Sequence, residues 1–398
     1  LANGDLIVGG AFASAGGVEG TGRIARYTPS TGAWSALGSN LNLGGITSIA
    51  ALQGGDLLAG GAFGIPGARH YNASTYTWLN VSAGINHGQV HALAVLPGGD
   101  AIVGGQEFRF AGVPGYANIA RYNPTTGAWS PLGTGTNAPV TALTVLPSGD
   151  VIAGGYFTSA GGVPVGRIAR FNPSTGVWSP LGTGIEGVVL AFAVLPDGDV
   201  IAGGSITSAG GVPVSNIARF NPSTGAWSSL GTGTSGTVWA LAATPDGGLV
   251  VAGGFTFVGG LRVNNIAHCY PTANGGGVWS ALGTGLVGDA YALAVLPGGD
   301  VVVAGAINAA GGVPANRIAR YSFGGACCPA DLDNDGDFAN GLTRDGAVTI
   351  EDLLSFLVGF EAGNVLVDLD NGTNTGTPDN AVDINDLLFF LARFEAGC

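Results

Sequence analysis

AFAVLPDGDVIAGGSITSAGGVPVSNIARFNPSTGAWSSLGTG, residues 191–233, is one copy of a unit that recurs as far as Tyr321. Each copy offers four strand-like runs. The first is of the type V-x-A-L-A-V-L and stops before Pro. The second, D-V-I-A-G-G, follows a P-x-G turn. The third, R-I-A-R-F-N, again stops before Pro, and the fourth, A-W-S-P-L-G, follows an S-T-G turn. Pro, Gly, Asn and Ser punctuate every run, and each is a residue that a tight turn needs for a stated backbone reason. No segment before residue 345 carries a sustained helical period.

Two registers fix the repeat. The residue closing each G-D step is Asp5, Asp56, Asp100, Asp150, Asp199, Gly248 and Asp300, at spacings of 51, 44, 50, 49, 49 and 52. The short step reflects a trimmed loop at Gly64–Gly67, where other copies read TSAGGVPV. The second register is Trp34, Trp78, Trp129, Trp178, Trp227 and Trp279. Four short antiparallel strands per repeat are the signature of a propeller blade. The reading is therefore an all-β propeller over residues 1–323, with seven four-stranded blades favoured. The first unit lacks its A-L-A-V-L strand and the last lacks its Trp strand. A segment upstream of Leu1 is expected to supply both, and a long one would allow eight blades or more.

The run GGYFTSAGGVPVGRIARFN at Gly154–Asn172 resembles kelch-like repeats. It is more closely similar to the bacterial repeats of delta-60 and cortical-marker-like propellers. The resemblance covers residues 1–323. It implies a propeller fold used mainly as a binding scaffold, and it does not assign an activity.

Composition bounds the function. Gly is 74 of 398 residues without a G-X-Y period, and charged residues are only 10% against 46% hydrophobic. Such a chain has the apolar content to bury a large core. The net charge of −13 is concentrated: residues 327–398 hold 14 Asp and Glu against Arg344 and Arg393, while residues 1–326 are nearly neutral. There is no Lys, and with no basic patch nucleic acid is excluded as a partner class. No apolar run is long enough to span a membrane. Three of the four Cys, Cys327, Cys328 and Cys398, bracket the acidic tail. A disulfide from Cys327 or Cys328 to Cys398 would close it and would imply an oxidising compartment.

Within the repeats, Arg26, Arg121, Arg170, Arg219 and Arg320 recur once per unit, with His268 in one of them. They read as structural partners of each unit's Asp or of backbone carbonyls, against a ring of cations for an anionic ligand. The six periodic Trp read as packing. One position varies between units: Ser48, His91, Thr141, Leu190, Trp239 and Tyr291. Variation on a uniform scaffold is what a binding surface needs, and also what an unconstrained exposed site gives. His70, His87, His91 and His268 lie in different units and loops, and only Cys269 and Tyr270 approach the residue types of a kelch-type copper oxidase. Glu19, Glu107, Glu186, Asp197, Asp246 and Asp289 are the acids outside the repeat-wide Asp, and they do not form an evident glycosidase pair. No catalytic residue or organic cofactor is assigned.

From Cys327 the grammar changes. CCPADLDNDGD and AVTIEDLLSFLVGFEAGN are followed by VDLDNG and AVDINDLLFFLARFEAGC. This is a duplicated Asp-rich loop and amphipathic helix, with helices predicted over Ile350–Phe360 and Ile384–Phe394. Alternating carboxylates suit Ca2+, which takes six to eight oxygens. The predicted ligands are Asp331, Asp333, Asp335 and Asp352 in the first loop and Asp368, Asp370 and Asp386 in the second. Insertions lengthen both loops, so Asp345 competes with Asp335, and Asp379 enters the second set. The segment 327–398 resembles the dockerin-like, EF-hand-like modules of secreted bacterial proteins, in the variant ending in Gly-Cys. The resemblance implies docking on a cohesin-like or cell-surface protein.

The functional expectation is a secreted, non-enzymatic binding or display propeller, extracellular or at a bacterial cell surface. It offers its loops to a glycan or protein ligand and is anchored through a calcium-dependent tail. The alternative is an extracellular carbohydrate-active enzyme with a catalytic propeller targeted by the same tail. A third reading is a structural surface-layer component.

Overall fold

Alternating β-branched and small residues between Gly- and Pro-bearing turns fold each repeat into one antiparallel sheet. A computed structural model describes residues 1, 3–38, 45–61, 67–81, 88–108, 117–272 and 276–322. The described strands match the expected inventory. The first sheet has three strands, Leu6–Gly9, Ile24–Thr28 and Ala33–Ala36. Five sheets follow the four-strand path, and the last pairs Ala290–Val295, Val301–Gly305 and Ile318–Tyr321. We call each sheet a blade. Blade four shows the pattern: Val140–Val145, Val151–Gly155, Ile168–Asn172 and Val177–Pro180, paired in chain order.

By its contacts the chain divides into two units. One is Leu1–Ser228 with Gly236–Trp239; the other is Ser229–Ser235 with Ala240 onward. In the first unit the leading strands Ile46–Ala51, Gln89–Val95, Val140–Val145 and Ile185–Val194 pack side by side, which makes them the inner edge of their blades. The second strands are the most buried: Val151–Gly155 and Leu57–Gly61 are buried throughout. Apolar residues from adjacent blades fill the seams, as where Ala142 and Ile152 of blade four meet Ile185, Val189 and Ala202 of blade five.

The turns explain the glycine content. A Cβ on Gly154 would lie 2.8 Å from Val189 Cβ of the next blade, so the first Gly of the G-G pair admits the neighbouring core. A Cβ on Gly155 would lie 2.3 Å from the Pro139 carbonyl, so the second admits the backbone of its own inner strand. The TSAGGVPV stretch, read above as a loop, instead forms a two-residue hairpin: Ala160 pairs with Val163 across Gly161 (φ 59°) and Gly162 (φ 81°). Positive φ at both central residues is the primed turn that matches strand twist.

One repeat-wide position is left-handed without glycine. Arg23, Asn118, Arg167, Asn216, Asn265 and Arg317 all have positive φ just before the third strand. Their carbonyls accept from the second strand, as Arg167 does from Gly155 N at 3.0 Å. Asn tolerates this region better than Arg because its short side chain bonds locally. Arg167→Asn is therefore expected to stabilise the protein by about 0.5–1 kcal/mol. The check is a higher urea midpoint at unchanged m-value.

Candidate functional site

Five inner strands share a β-bulge at one place, and Ile185–Val194 has a second irregularity between Glu186 and Gly187. The pairing register slips between Ile46 and Ser48, between Val90 and Ala92, between Val140 and Ala142, between Val189 and Ala191, and between Ala290 and Ala292. The inserted residues are thus Thr47, His91, Thr141, Leu190 and Tyr291, and Trp239 holds the same place in the sequence V-W-A-L. This corrects the reading of Ser48: Thr47, nine residues before Asp56 as His91 is before Asp100, is the equivalent. A bulge re-aims the side chain it inserts. In blade four, Thr141 is half-exposed between buried Val140 and Ala142.

Two of these side chains span a seam. Thr47 Oγ1 donates to the carbonyl of Val90 at 2.5 Å, and Thr141 Oγ1 donates to that of Val189 at 2.5 Å. Each therefore reaches the residue just before the next blade's bulge. Burial holds the His91 imidazole below its usual pKa, against an opposing hydrogen bond with Gln106. His91 is accordingly neutral at pH 7. Tyr291, in the second unit, is 54% exposed.

The recurrent Arg side chains are consumed by the fold. Arg26 pairs with Asp5, Arg121 with Asp100, Arg170 with Asp150, Arg219 with Asp199 and Arg320 with Asp300. Their Nε–Oδ2 distances run from 2.5 to 2.7 Å. Burial would raise the Asp5 carboxyl, but hydrogen bonds from Arg26, Thr28 and Asn3 outweigh it and hold the group below its usual value. Asp197 joins the set through Arg219 Nη2 at 2.8 Å.

Two blades depart from this pairing. In blade two His70 stands in the Arg position and bonds Asp56 through Nε2 at 2.9 Å and the Tyr122 hydroxyl of blade three through Nδ1 at 3.0 Å. The sequence reading missed this partner. The signal was present, since G-A-R-H-Y-N aligns with R-I-A-R-F-N. In blade six, Gly248 replaces the repeat Asp, and Asp246 accepts from Thr244 and from Tyr270 Oη, the latter at 2.6 Å. Burial pushes Asp246 up, but these hydrogen bonds prevail and lower it. His268 stacks edge-on against Tyr270 with centroids 4.6 Å apart. Cys269 is fully buried between them in sequence, and alternation along the strand puts it on the opposite face.

The periodic Trp side chains join blades. Trp78, Trp129, Trp178 and Trp227 donate Nε1–H to the carbonyls of Leu37, Val81, Leu132 and Leu181 in the preceding blade. Each also leans on the aromatic opposite it, as Trp178 does on Phe171 at 5.0 Å. Among the remaining candidates, Glu186 is exposed on its inner strand and Glu107 has positive φ. His87 and the calcium candidates Asp331, Asp333, Asp335, Asp345, Asp352, Asp368, Asp370, Asp379 and Asp386 lie outside the described residues, as do Cys327, Cys328 and Cys398. Among the described residues no three His, Cys, Asp or Glu side chains gather as a metal site.

Comparison with known proteins fits this architecture. Residues 131–248 match the family model described as the Rax2 C-terminal beta propeller domain. A solved chain from a "Crystal Structure of Mitotic Checkpoint Complex" is similar at 15% identity with a TM-score of 0.51. The match covers 71% of this chain and 78% of that one. No curated protein matches. The chain contains a β-propeller domain; at this identity the structural likeness speaks to fold alone.

Proposed function

We propose that this chain is a secreted, non-enzymatic binding and display protein of the bacterial cell surface or extracellular space. Its propeller offers the inner-strand positions and loops to a ligand, and its acidic tail binds Ca2+ and docks on a cohesin-like or cell-surface protein. The observation that carries the reading is a division of carboxylates. In the propeller, Asp5, Asp56, Asp100, Asp150, Asp199 and Asp300 are each held by an Arg or His. In the tail, 14 acids stand against two Arg, in a duplicated pattern around Asp331–Asp335 and Asp368–Asp370. Such a surplus is unstable in a folded module without a cation, and hard oxygen donors select Ca2+.

Full-length protein should show a calcium-dependent transition. Saturating Ca2+ at about a thousand times its Kd adds roughly 4 kcal/mol to the stability of the site that binds it. EDTA should reverse the shift, and a D331A/D368A double variant should not respond. Calorimetry with and without Ca2+ checks this, and an unchanged thermogram would remove the anchoring role. Release of new reducing ends from a polysaccharide by the purified chain would overturn the non-enzymatic part.

A further inference from the structure

Along the inner strands nearly every position repeats: Val or Ile, then the bulge residue, then Ala, Leu, Ala and Val with small exchanges. The bulge residue changes its chemistry most from blade to blade, beside the single exchanges Ser48 and Thr144 for Ala. In the first unit it is Thr47, His91, Thr141, Leu190 and Trp239. Thr141, His91, Leu190 and Trp239 are all partly exposed, while the residue before each is buried. The variable side chains are thus more exposed than the residue that precedes each, and Thr47 and Thr141 also bond across a seam.

We infer that these bulge residues form a binding site for a neutral saccharide, with Trp239 as the stacking surface. The inference rests on the display reading above and names its ligand class. The position holds two hydroxyls, an imidazole, an isobutyl group and an indole. It carries neither carboxylate nor guanidinium, so it has no charge with which to select an ionic ligand. A sugar ring has an apolar face that lies on an indole and a rim of hydroxyls that needs fixed partners. The threonines provide those partners with defined polarity. Each donates its only proton to a backbone carbonyl, at 2.5 Å from Val90 O and from Val189 O. Their Oγ1 atoms are left as acceptors for sugar hydroxyls. His91, neutral and fixed by Gln106, adds a polar group that does not bring charge.

The test uses the full chain with 15N-labelled indoles and three probes: β-1,4-linked glucohexaose, mannohexaose and xylohexaose. The Trp239 signal is identified by its loss in Trp239→Thr, which installs the residue that blades two and four carry at this position. At least one probe should move the Trp239 indole in a saturable way while the indoles of the six repeat-wide Trp stay in place. Trp239→Thr should weaken binding of that probe at least about tenfold with an unchanged melting temperature. The inference falls if none of the three moves the Trp239 indole at about 10 mM, a level that detects Kd values in the millimolar range. It also falls if Trp239→Thr binds as the parent does. The calcium response of the tail is measured on the same samples, so loss of the saccharide site and loss of the anchoring role are separate results.

Discussion

Gly204→Ala should destabilise the propeller by about 3–5 kcal/mol, and Gly98→Ala should leave it within about 0.5 kcal/mol. A Cβ on Gly204 would sit 2.0 Å from the Val188 carbonyl oxygen and 3.1 Å from Leu190 N. Both are backbone atoms of the inner strand at its bulge, so no side chain can rotate away. Relief requires opening the bulge, which pulls Val189 out of the seam where it is fully buried, or breaking the bond from Gly204 N to Asn216 O. Gly98 has ordinary φ and open space around its Cβ position, so the same substitution there meets nothing and reduces the freedom of the unfolded chain. For a domain this large the Gly204 loss corresponds to a fall of roughly 6–15 °C in melting temperature. A Gly204→Ala protein that melts with its parent would show that the inner strand does not bulge over this glycine.

The blade was legible because three periodic signals agreed on it: strand alternation, turn residues and the repeat of Asp and Trp. The pairing of Arg with its unit's Asp was also legible, since a charge that recurs in every blade serves what every blade needs. The bulge was not. A bulge inserts one residue without changing composition, so nothing in the sequence marks it; the equivalence of Thr47 was legible, since it precedes Asp56 by the same nine residues that separate His91 from Asp100. His70 was missed because it breaks the repeat; its partner Tyr122 lies 52 residues away, and only folding brings the two together. The hairpin of TSAGGVPV was hidden for a related reason: its strands are two residues each, below the length at which alternation is visible. What deviates from a repeat is where individuality lies, and periodicity is blind to it.

That deviation at the seam of blades two and three leads to a second large effect. Tyr122 is 1% exposed and His70 5%. With the imidazole neutral and its proton on Nε2, His70 donates to Asp56 Oδ2 and Nδ1 accepts from the Tyr122 hydroxyl. Both imidazole nitrogens and the Tyr122 hydroxyl are satisfied in that arrangement. Tyr122→Phe keeps the ring against Trp129, 4.8 Å away, but leaves the buried Nδ1 without its donor, at a cost of about 1–3 kcal/mol. Alkaline pH supplies a signature that simple loss of packing does not share. Burial, and to a lesser degree the Asp56 charge, pushes the Tyr122 hydroxyl up to about 12, whereas in the unfolded chain it ionises near 10. A raised pKa on an acid means that its stabilising contribution is complete below the unfolded value and is lost as pH climbs to the folded one. Parent and Tyr122→Phe should therefore differ by a constant amount up to about pH 9, and the gap should close between pH 10 and 12 as unfolded parent is favoured by ionisation. Urea melts at pH 8, 10 and 11.5 measure it. A gap that stays constant across that range would mean that the hydroxyl is not buried against His70, and the relay between the two blades would have to be abandoned.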